Sequence, residues 1–455
     1  MIMTRRLLQT ALLFATGLYG VSVAAASATA FINVNVVPMA TETVLPAQTV
    51  LVEDGVITTI GNVDDVRIPE DALAVDGTDR FLMPGLAEMH AHVPTANSRQ
   101  LDRFFTLFVA NGVTSIRGML GHPSHLDLRR DIFDGKVFGP RLATSGPSLN
   151  GRSVSGAADA RRQVREQAAA GYDFVKVHPG LSAEEYSALA KTANDIEIPF
   201  AGHVPVAAGL DLALQLRMAT IDHLDGYFVA LLPPDSAESG GYGGFFDVML
   251  AGELDIDGID AVAAATATAG TWNVPTQTLI EQRLSETGID ELKSRPEMQY
   301  MPEETIERWA AATKALRSES GFDQEVAQLA ITIRRSLILA LHRAGARLLL
   351  GSDAPQVFNV PGFSAHRELD LLVAAGLTPF EALATGTTAA AEFLGTNTGS
   401  VQVGKEADLI LLDANPLQDI ANSRRIHGVM LRGQWLSSRD LAERLARFGG
   451  SSTRP

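Results

Sequence analysis

Met83-Pro-Gly-Leu-Ala-Glu-Met-His-Ala-His-Val93, MPGLAEMHAHV, is an apolar run that ends in two histidines one residue apart. In a β-strand, residues i and i+2 face the same side, so His90 and His92 would point in the same direction. Two neighbouring imidazoles indicate a metal site, although a pair of solvated or core histidines can alternate in the same way. The rest of the chain has to distinguish these two interpretations.

Downstream of this run, helical patterns alternate with short apolar strands. Eight candidate strands follow one another in this βα order, the first in MPGLAEMHAHV and the last in RLLLGSD. The pattern predicts a (β/α)8 barrel over residues 83–395, of the α/β class. An open, doubly wound sheet is the alternative, but no Gly-rich phosphate fingerprint follows the first strand. Four helix ends carry a glycine suited to left-handed backbone: Gly112, Gly171, Gly270 and Gly345.

Both ends of the chain have the short alternating strands of a small β domain. Residues 31–82 contain FINVNVV and the hairpin signal Asp54-Gly55, and residues 396–440 contain two further β-rich stretches. We expect the two parts to pair into one β-sandwich beside the barrel, with residues 441–455 as a tail. Two insertions, Val229–Leu254 and Glu281–Gln324, interrupt the barrel repeat and are expected to form lids.

The first thirty residues resemble an export signal. Arg5 and Arg6 precede an apolar stretch that ends in small residues near Ala30. We therefore expect an exported protein, periplasmic or secreted, whose mature chain begins near Phe31; the arginine pair would also suit twin-arginine export. An uncleaved membrane anchor is the alternative. The absence of cysteine excludes disulfides and thiolate metal sites, so any metal must bind His, Asp, Glu or a modified Lys.

Composition and charge narrow the choice of partner. The chain has 455 residues, of which 46% are hydrophobic and 20% charged, as in an ordinary globular protein. A formal net charge of -16 argues against nucleic-acid binding. The expected partner is a small-molecule amide or peptide, with no stable membrane association after signal cleavage. A homo-oligomer is not excluded.

The ends of the candidate strands carry the residues that matter for function. In a barrel of this kind, functional side chains stand at the C-terminal ends of the strands, where they meet at one mouth. Polar, ionisable residues stand there: His90 and His92 at the first strand, Lys176 at the fourth, His203 at the fifth, His223 at the sixth and Asp353 at the eighth.

This arrangement resembles the metal-dependent amidohydrolase superfamily, in particular its imidazolonepropionase-like and Xaa-Pro dipeptidase (prolidase-like) branch. The similarity extends over nearly the whole mature chain, from QTVLVEDGVITTIG and MPGLAEMHAHV through GSDAP to GSVQVGKEADLILLDANPL. The resemblance implies two divalent metal ions, one bound by His90, His92 and Asp353. It implies that His203 and His223 bind the second.

Lys176 is implied by the same resemblance to carry a carboxyl group and to bridge the two metals. The chemistry agrees, because two cations about 3.5–4 Å apart need a bridging anion and no Asp or Glu stands at the end of the fourth strand. A buried lysine has a lowered pKa, and its neutral amine can add CO2 to form a carbamate. A salt bridge or a charge facing the substrate is the alternative role. Zinc is the expected metal, although Mn, Co or Fe would also suit these ligands.

The implied activity is hydrolysis of an amide bond by a binuclear metal centre. A metal-bridging hydroxide would attack the carbonyl, and Asp353 would carry a proton to the leaving amine. The expected substrate is an Xaa-Pro or Xaa-hydrophobic dipeptide or an N-acyl amino acid. A cyclic-amide hydrolase, deaminase or lactonase of the same superfamily is the alternative, and a non-catalytic barrel protein is a further one.

Four more residues are candidates for substrate binding. His178 stands two residues after Lys176 and could contact substrate or order the carbamate. Arg117, at the end of the second strand, could clamp a substrate carboxylate, but the following Gly118 departs from the family pattern. Tyr227 could hydrogen-bond the scissile carbonyl, or simply pack. His366 lies beyond the eighth strand, where related sequences place a histidine near substrate.

Overall fold

A computed structural model describes residues 28–95, 98–236 and 245–449. The strands are β1 Thr29–Val36, β2 Leu45–Glu53, β3 Val56–Asn62, β4 Leu73–Asp76, β5 Phe81–Pro84, β6 Leu86–Ala91, β7 Val113–Gly118, β8 Arg141–Thr144, β9 Val175–Val177, β10 Phe200–Gly202, β11 Thr220–Asp222, β12 Trp272–Val274, β13 Leu409–Leu412, β14 Ile426–Leu431 and β15 Gln434–Ser437. The helices are α1 Ser98–Ala110, α2 Ser124–Phe133, α3 Ala157–Ala170, α4 Ala183–Asp195, α5 Gly209–Gln215, α6 Tyr227–Ala230, α7 Ile259–Ala269, α8 Gln277–Leu284, α9 Ile289–Ser294, α10 Glu303–Arg317, α11 Gln324–Arg343, α12 Phe363–Ala374, α13 Pro379–Thr385, α14 Thr388–Leu394 and α15 Ser438–Ala446.

The central strands form the predicted parallel barrel. β6, β7 and β8 pair in one parallel sheet, and β9 to β12 pair in a second. The eighth position is taken by residues 348–354, an extended segment that lies between β12 and β6. Three parallel bridges join the pieces into a ring: Ser145 with Phe174, Asn273 with Leu348, and Ala91 with Ala354. The fold class expected from the sequence is confirmed.

Local sequence signals place the ends of the barrel helices. Gly112, Gly171, Gly270 and Gly345 have φ values of 74°, 87°, 71° and 83°, the left-handed backbone that glycine adopts without a steric penalty. Ser182 with Glu185, and Thr378 with Glu381, form the expected capping boxes at α4 and α13. Each helix is thereby fixed in length, and each following strand enters the barrel in a set register.

The two ends of the chain pair in one eight-stranded sheet. The strand order is β15-β14-β13-β5-β1-β2-β3, with β4 paired to β1, so strands from both ends alternate in it. The Asp54-Gly55 hairpin joins β2 to β3, with positive φ at both residues. Apolar residues of both parts, including Phe31 and Leu411, share one core. The predicted union of the chain ends is confirmed.

The structure differs from the predicted boundaries at both ends of the chain. Most of the predicted export signal, residues 1–30, lies outside the described residues, but Thr29 and Ala30 already pair with β2. At the other end, the sequence analysis missed α15 in the segment expected to be a tail. This helix begins with a capping box at Ser437 and buries Leu441. Within the described residues, helices are too short or too polar to cross a lipid bilayer.

Candidate metal centre

The first and eighth barrel positions bring three of the predicted ligands together. His90 lies in β6, His92 follows it, and Asp353 belongs to the eighth segment. Ligand atoms of these three side chains all lie within 4.8 Å of one another. Nε2 of His92 is 3.0 Å and Nε2 of His90 is 3.7 Å from Oδ1 of Asp353. The three side chains thus converge on a common point. Oδ1 of Asp353, which lies there, accepts no hydrogen bond from the described residues.

The fifth and sixth positions add two further histidines to the same mouth. His203 follows β10 and His223 follows β11, and their rings lie 4.6 Å apart between centroids. The His223 ring is 4.5 Å from that of His90, and its Nδ1 is 3.9 Å from Oδ2 of Asp353. His223 and Asp353 both have left-handed backbone, at φ 63° and 62°. Strained backbone at non-glycine residues is typical of functional sites.

The Nδ1 atom of each of these four histidines faces a protein partner. The pairs are His90 with Asp222 at 2.9 Å, His92 with Gln356 at 3.2 Å, His203 with Asp225 at 2.6 Å and His223 with Thr276 at 2.8 Å. In His90, His203 and His223 the partner is a carboxylate or hydroxyl that can accept the Nδ1 proton, so Nε2 is the atom left for a ligand. Such partners fix the orientation of metal-binding imidazoles, and the sequence analysis identified none of the four.

Burial keeps the imidazoles neutral. It lowers the pKa of His90 and of His223 far below the ordinary value, and it lowers that of His203 to about 3, with the Lys176 charge adding to the effect. A neutral imidazole is the form that binds a metal. His90, His203 and His223 thus have the protonation state that metal binding requires.

Lys176 lies in β9, fully buried beside this cluster. Its Nζ is 3.7 Å from Oδ2 of Asp222 and makes no hydrogen bond to the described residues. Burial lowers the pKa of the Lys176 amine, which favours the neutral form that reacts with CO2. Gly202 gives the side chain room, because a Cβ at Gly202 would lie 2.7 Å from Cδ of Lys176.

Asp222 and Arg117 form a buried layer beneath the cluster. Nη2 of Arg117 is 3.3 Å from Oδ1 of Asp222, and its Nε donates to the carbonyl of Met89 at 2.7 Å. The guanidinium also lies between the rings of Phe174 and Phe393. Arg117 is fully buried, so its placement differs from the carboxylate clamp that the sequence suggested. It orients Asp222, which in turn orients His90.

Glu88 connects the first and eighth barrel positions. Its Oε1 accepts from the backbone N–H of His90 at 3.0 Å and of Ser352 at 2.7 Å, and its Oε2 accepts from the Ser352 hydroxyl at 2.5 Å. Glu88 thereby holds the backbone of His90 close to Ser352, the residue that precedes Asp353. Glu88 was not predicted as a site residue. It precedes His90 by two residues and therefore faces the same side of the strand, which is a signal that the sequence offers.

The substrate-binding candidates lie in different surroundings. His178 stays at the mouth, 4.9 Å from His203 between ring centroids. The Tyr227 hydroxyl is turned away from it and bonds Thr266 at 3.0 Å and Asn273 at 2.8 Å. His366 bonds Ser423 and the carbonyl of Asn111, both at 3.0 Å. Of the three, only His178 is placed to contact a substrate.

Phe246, from the first insertion, covers the cluster. Its ring stacks on that of His203 at an interplanar angle of 10° and a centroid distance of 6.1 Å, and it lies 4.9 Å from that of His223. An apolar side chain over polar ligands excludes water and strengthens electrostatic interactions inside the site. The insertion therefore forms part of the mouth, as the sequence suggested.

The donor atoms fit divalent metal ions. Nε2 of His90, Oδ1 of Asp353 and Nζ of Lys176 are buried without a hydrogen-bond partner among the described residues, which is costly for a protein interior unless something binds them. Imidazole nitrogens and a carboxylate are ligands that suit zinc and similar ions. A family model described as "Amidohydrolase family" matches residues 81–436.

The chain belongs to the amidohydrolase family. Its similarity to ochratoxinase from Aspergillus niger is 23% identity over 416 residues, covering 81% of this chain and 78% of that protein. The structure of bottromycin amidohydrolase is similar at a TM-score of 0.71 and 25% identity, covering 93% of this chain and 91% of that one.

A Xaa-Pro dipeptidase with methionine bound in its active site is a further structural neighbour of this amidohydrolase. It has a TM-score of 0.65 and 17% identity, and the match covers 90% of this chain and 100% of that one. This likeness concerns the fold. The family match makes the chain a hydrolase that acts on amide bonds, and the relatives agree with the amidohydrolase superfamily that the motifs indicated.

Proposed function

We propose that this amidohydrolase is a binuclear metal enzyme that cleaves a dipeptide or an N-acyl amino acid. The observation that carries the proposal is the grouping of four imidazole rings, one carboxylate and one buried amine at the mouth of the barrel. His90, His92 and Asp353 would hold the first ion, His203 and His223 the second, and carboxylated Lys176 both. An export signal suits an enzyme that hydrolyses peptides outside the cytoplasm.

The metals, when bound, would polarise the scissile carbonyl and lower the pKa of a water molecule. The chain supplies the other parts of the reaction. Oδ1 of Asp353 makes no hydrogen bond to the described residues, so it can accept a proton and deliver it to the leaving amine. Phe246 excludes bulk water, and His178 stands beside His203 where a substrate would lie.

The carbamate on Lys176 is tested by metal content. Wild-type protein loaded with zinc should hold two equivalents, and Lys176→Ala should hold one or none and lose amide hydrolysis, because the bridging anion is gone. Lys191→Ala, an exposed position on α4, is the matched control and should keep both metals. A single equivalent in the wild type would instead support the mononuclear deaminase or cyclic-amide hydrolase.

The substrate class is tested by a hydrolysis screen. Zinc-loaded protein should release amine from Xaa-Pro or Xaa-hydrophobic dipeptides or from N-acyl amino acids. Lactones form the control class. Cleavage of lactones with no amine released from any amide would contradict the proposal.

A further inference from the structure

A cavity of about 430 Å³ opens at the barrel mouth beside the first group of ligands. Pro94 and Pro355 form part of its wall, and these two residues stand two positions after His92 and Asp353. Two residues of extended chain span at most about 7 Å. The cavity therefore begins next to the metal centre, and its volume lies within the range of small-molecule sites, roughly 300–1,000 Å³.

One part of the cavity is apolar. Phe104 and Leu107 from α1 and Trp309 from α10 line it, and all three side chains are buried or nearly so. Aromatic and aliphatic walls of this kind bind apolar side chains and exclude charged ones. The second insertion, which contains α10, therefore contributes directly to the cavity.

A second part of the wall carries three cationic side chains. Arg99 and Arg103 from α1 and Arg308 from α10 line it, and no acidic residue does so among those the structure describes. This is notable in a chain whose net charge is -16. Nε of Arg103 is buried without a hydrogen-bond partner in the described part of the chain. The neighbouring Asp102 is 3.1 Å from Arg447 and does not line the cavity.

The opposite side of the mouth has a different character. A cavity of about 280 Å³ lies beside His203 and is lined by apolar residues such as Val204, Phe245 and Phe246, and within the described residues no Lys or Arg lines it. An anionic group finds no cationic side chain on this side, whereas the other side offers three guanidinium groups. The two cavities thus give a bound substrate a direction.

We propose that the cavity lined by Arg99, Arg103 and Arg308, the arginine pocket, binds the amino-acid half of the substrate. The amino acid's carboxylate lies on the guanidinium groups and its apolar or aromatic side chain lies against Phe104 and Trp309. The acyl half then lies beside Phe246. This inference rests on the proposed function, since it names the substrate class of the same site.

The test compares an N-acyl-L-phenylalanine with its C-terminal carboxamide, which has the same shape but no charge. The readout is the ratio of kcat/KM for the acid to kcat/KM for the carboxamide, and in the wild type this ratio should exceed one. In Arg103→Gln/Arg308→Gln that ratio should fall by about 10-fold to 100-fold, because charge-assisted hydrogen bonds are lost. Arg103→Lys/Arg308→Lys keeps the charge and should retain more of the preference. Arg439→Gln, exposed on α15, is the control and should keep the wild-type ratio.

One result would overturn the inference: an unchanged acid-to-carboxamide ratio in the double glutamine variant, whether kcat/KM is retained for both compounds or falls equally for both. Failure of the proposed function is distinguishable, because the wild type would then cleave neither compound. In that case the arginine pocket is tested by calorimetry, which measures binding of N-acetyl-L-phenylalanine to the wild type and to the double glutamine variant. Binding that the double glutamine variant loses supports the arginine pocket, and binding that is absent or equal in both proteins contradicts it.

Discussion

Gly202 is the residue that leaves space for Lys176. Its φ is 121°, and an added Cβ would lie 2.5 Å from the carbonyl oxygen of Val177 and 2.7 Å from Cδ of Lys176. Gly202→Ala should therefore displace the amine and lower metal content from two equivalents, measured by elemental analysis of the folded protein.

The control for this variant is Gly156→Ala, where φ is 114° and no atom lies within 4 Å of the added Cβ. It carries similar backbone strain without the overlap, so it should lower the melting temperature and leave metal content unchanged. Equal metal loss in both variants would mean that strain, and not the position of Lys176, is responsible.

The residues of the site were predictable to different degrees. The six ligand candidates follow from strand ends alone, because each barrel strand delivers its last side chains to one mouth. Asp222, Asp225 and Thr276 were missed, since their roles depend on contacts between different strands. Tyr227 was expected at the substrate because it follows His223 closely, but α6 begins at this residue and directs the phenol to β12.

At the scale of elements, α8 has an unusual N-terminus. Thr276 precedes it but caps none of its N–H groups, because its hydroxyl bonds His223. Glu368 of α12 replaces it, accepting from the N–H groups of Gln277 at 2.8 Å and Thr278 at 2.6 Å. The Thr276 hydroxyl is thus bonded to a candidate metal ligand, and a carboxylate from another helix satisfies the N–H groups at the start of α8.

Glu368 should make stability depend on pH. Burial raises its pKa to about 8, although the two N–H groups act in the opposite direction. Because the pKa in the folded chain exceeds that of the unfolded chain, the contribution is complete below about pH 4.5 and is lost as pH rises through 8. Wild type should thus lose stability relative to Glu368→Gln between pH 5 and pH 8.5, in denaturant titrations at equal metal content.

Glu185→Gln provides the comparison for this slope. Hydrogen bonds from Ser182 lower the pKa of Glu185, so its contribution is present above about pH 4.5 and is lost only on acidification. The stability difference between Glu185→Gln and wild type should therefore be constant from pH 5 to pH 8.5. If wild type instead gained stability relative to Glu368→Gln as pH rose, the helix N-terminus would outweigh burial.

Elements were predicted where the local signal was strong. The four glycines and both capping boxes mark helix ends independently of tertiary structure, and all lie where expected. α15 was missed because it is a short helix at the end of the chain, and its apolar face is explained only by tertiary contacts with α1 and β14. The eighth barrel position pairs too irregularly to form a regular strand, which sequence periodicity does not report.

At the scale of the whole molecule, Asp408 connects the terminal sheet to the barrel. Its buried carboxylate accepts from Nε of Arg141 and from the backbone N–H of Arg432, both at 2.6 Å. Asp408→Ala would leave these donors unsatisfied and should destabilise the protein by about 1–3 kcal/mol. Metal content and kcat should be retained, because the ligands are untouched.

Glu406→Ala is the matched control for Asp408→Ala. Glu406 also pairs with Arg141, at 2.6 Å, but its side chain is 38% exposed. Exposed ion pairs contribute about 0–1 kcal/mol, so this variant should be nearly neutral in denaturant unfolding. If Asp408→Ala lost metal as well as stability, the sheet would have to be regarded as part of the active unit.

The ring of strands is completed only when residues 348–354 dock against β6, and Asp353 reaches His90 and His92 through that closure. A growing polypeptide consequently cannot bring these three candidate ligands together until almost four-fifths of it is available. Under the proposed function, the cellular space that hosts the last step of folding would also decide which ions compete for the protein. Metal identity would then be inherited from the place of assembly, and moving that step should change the ion without changing a single ligand.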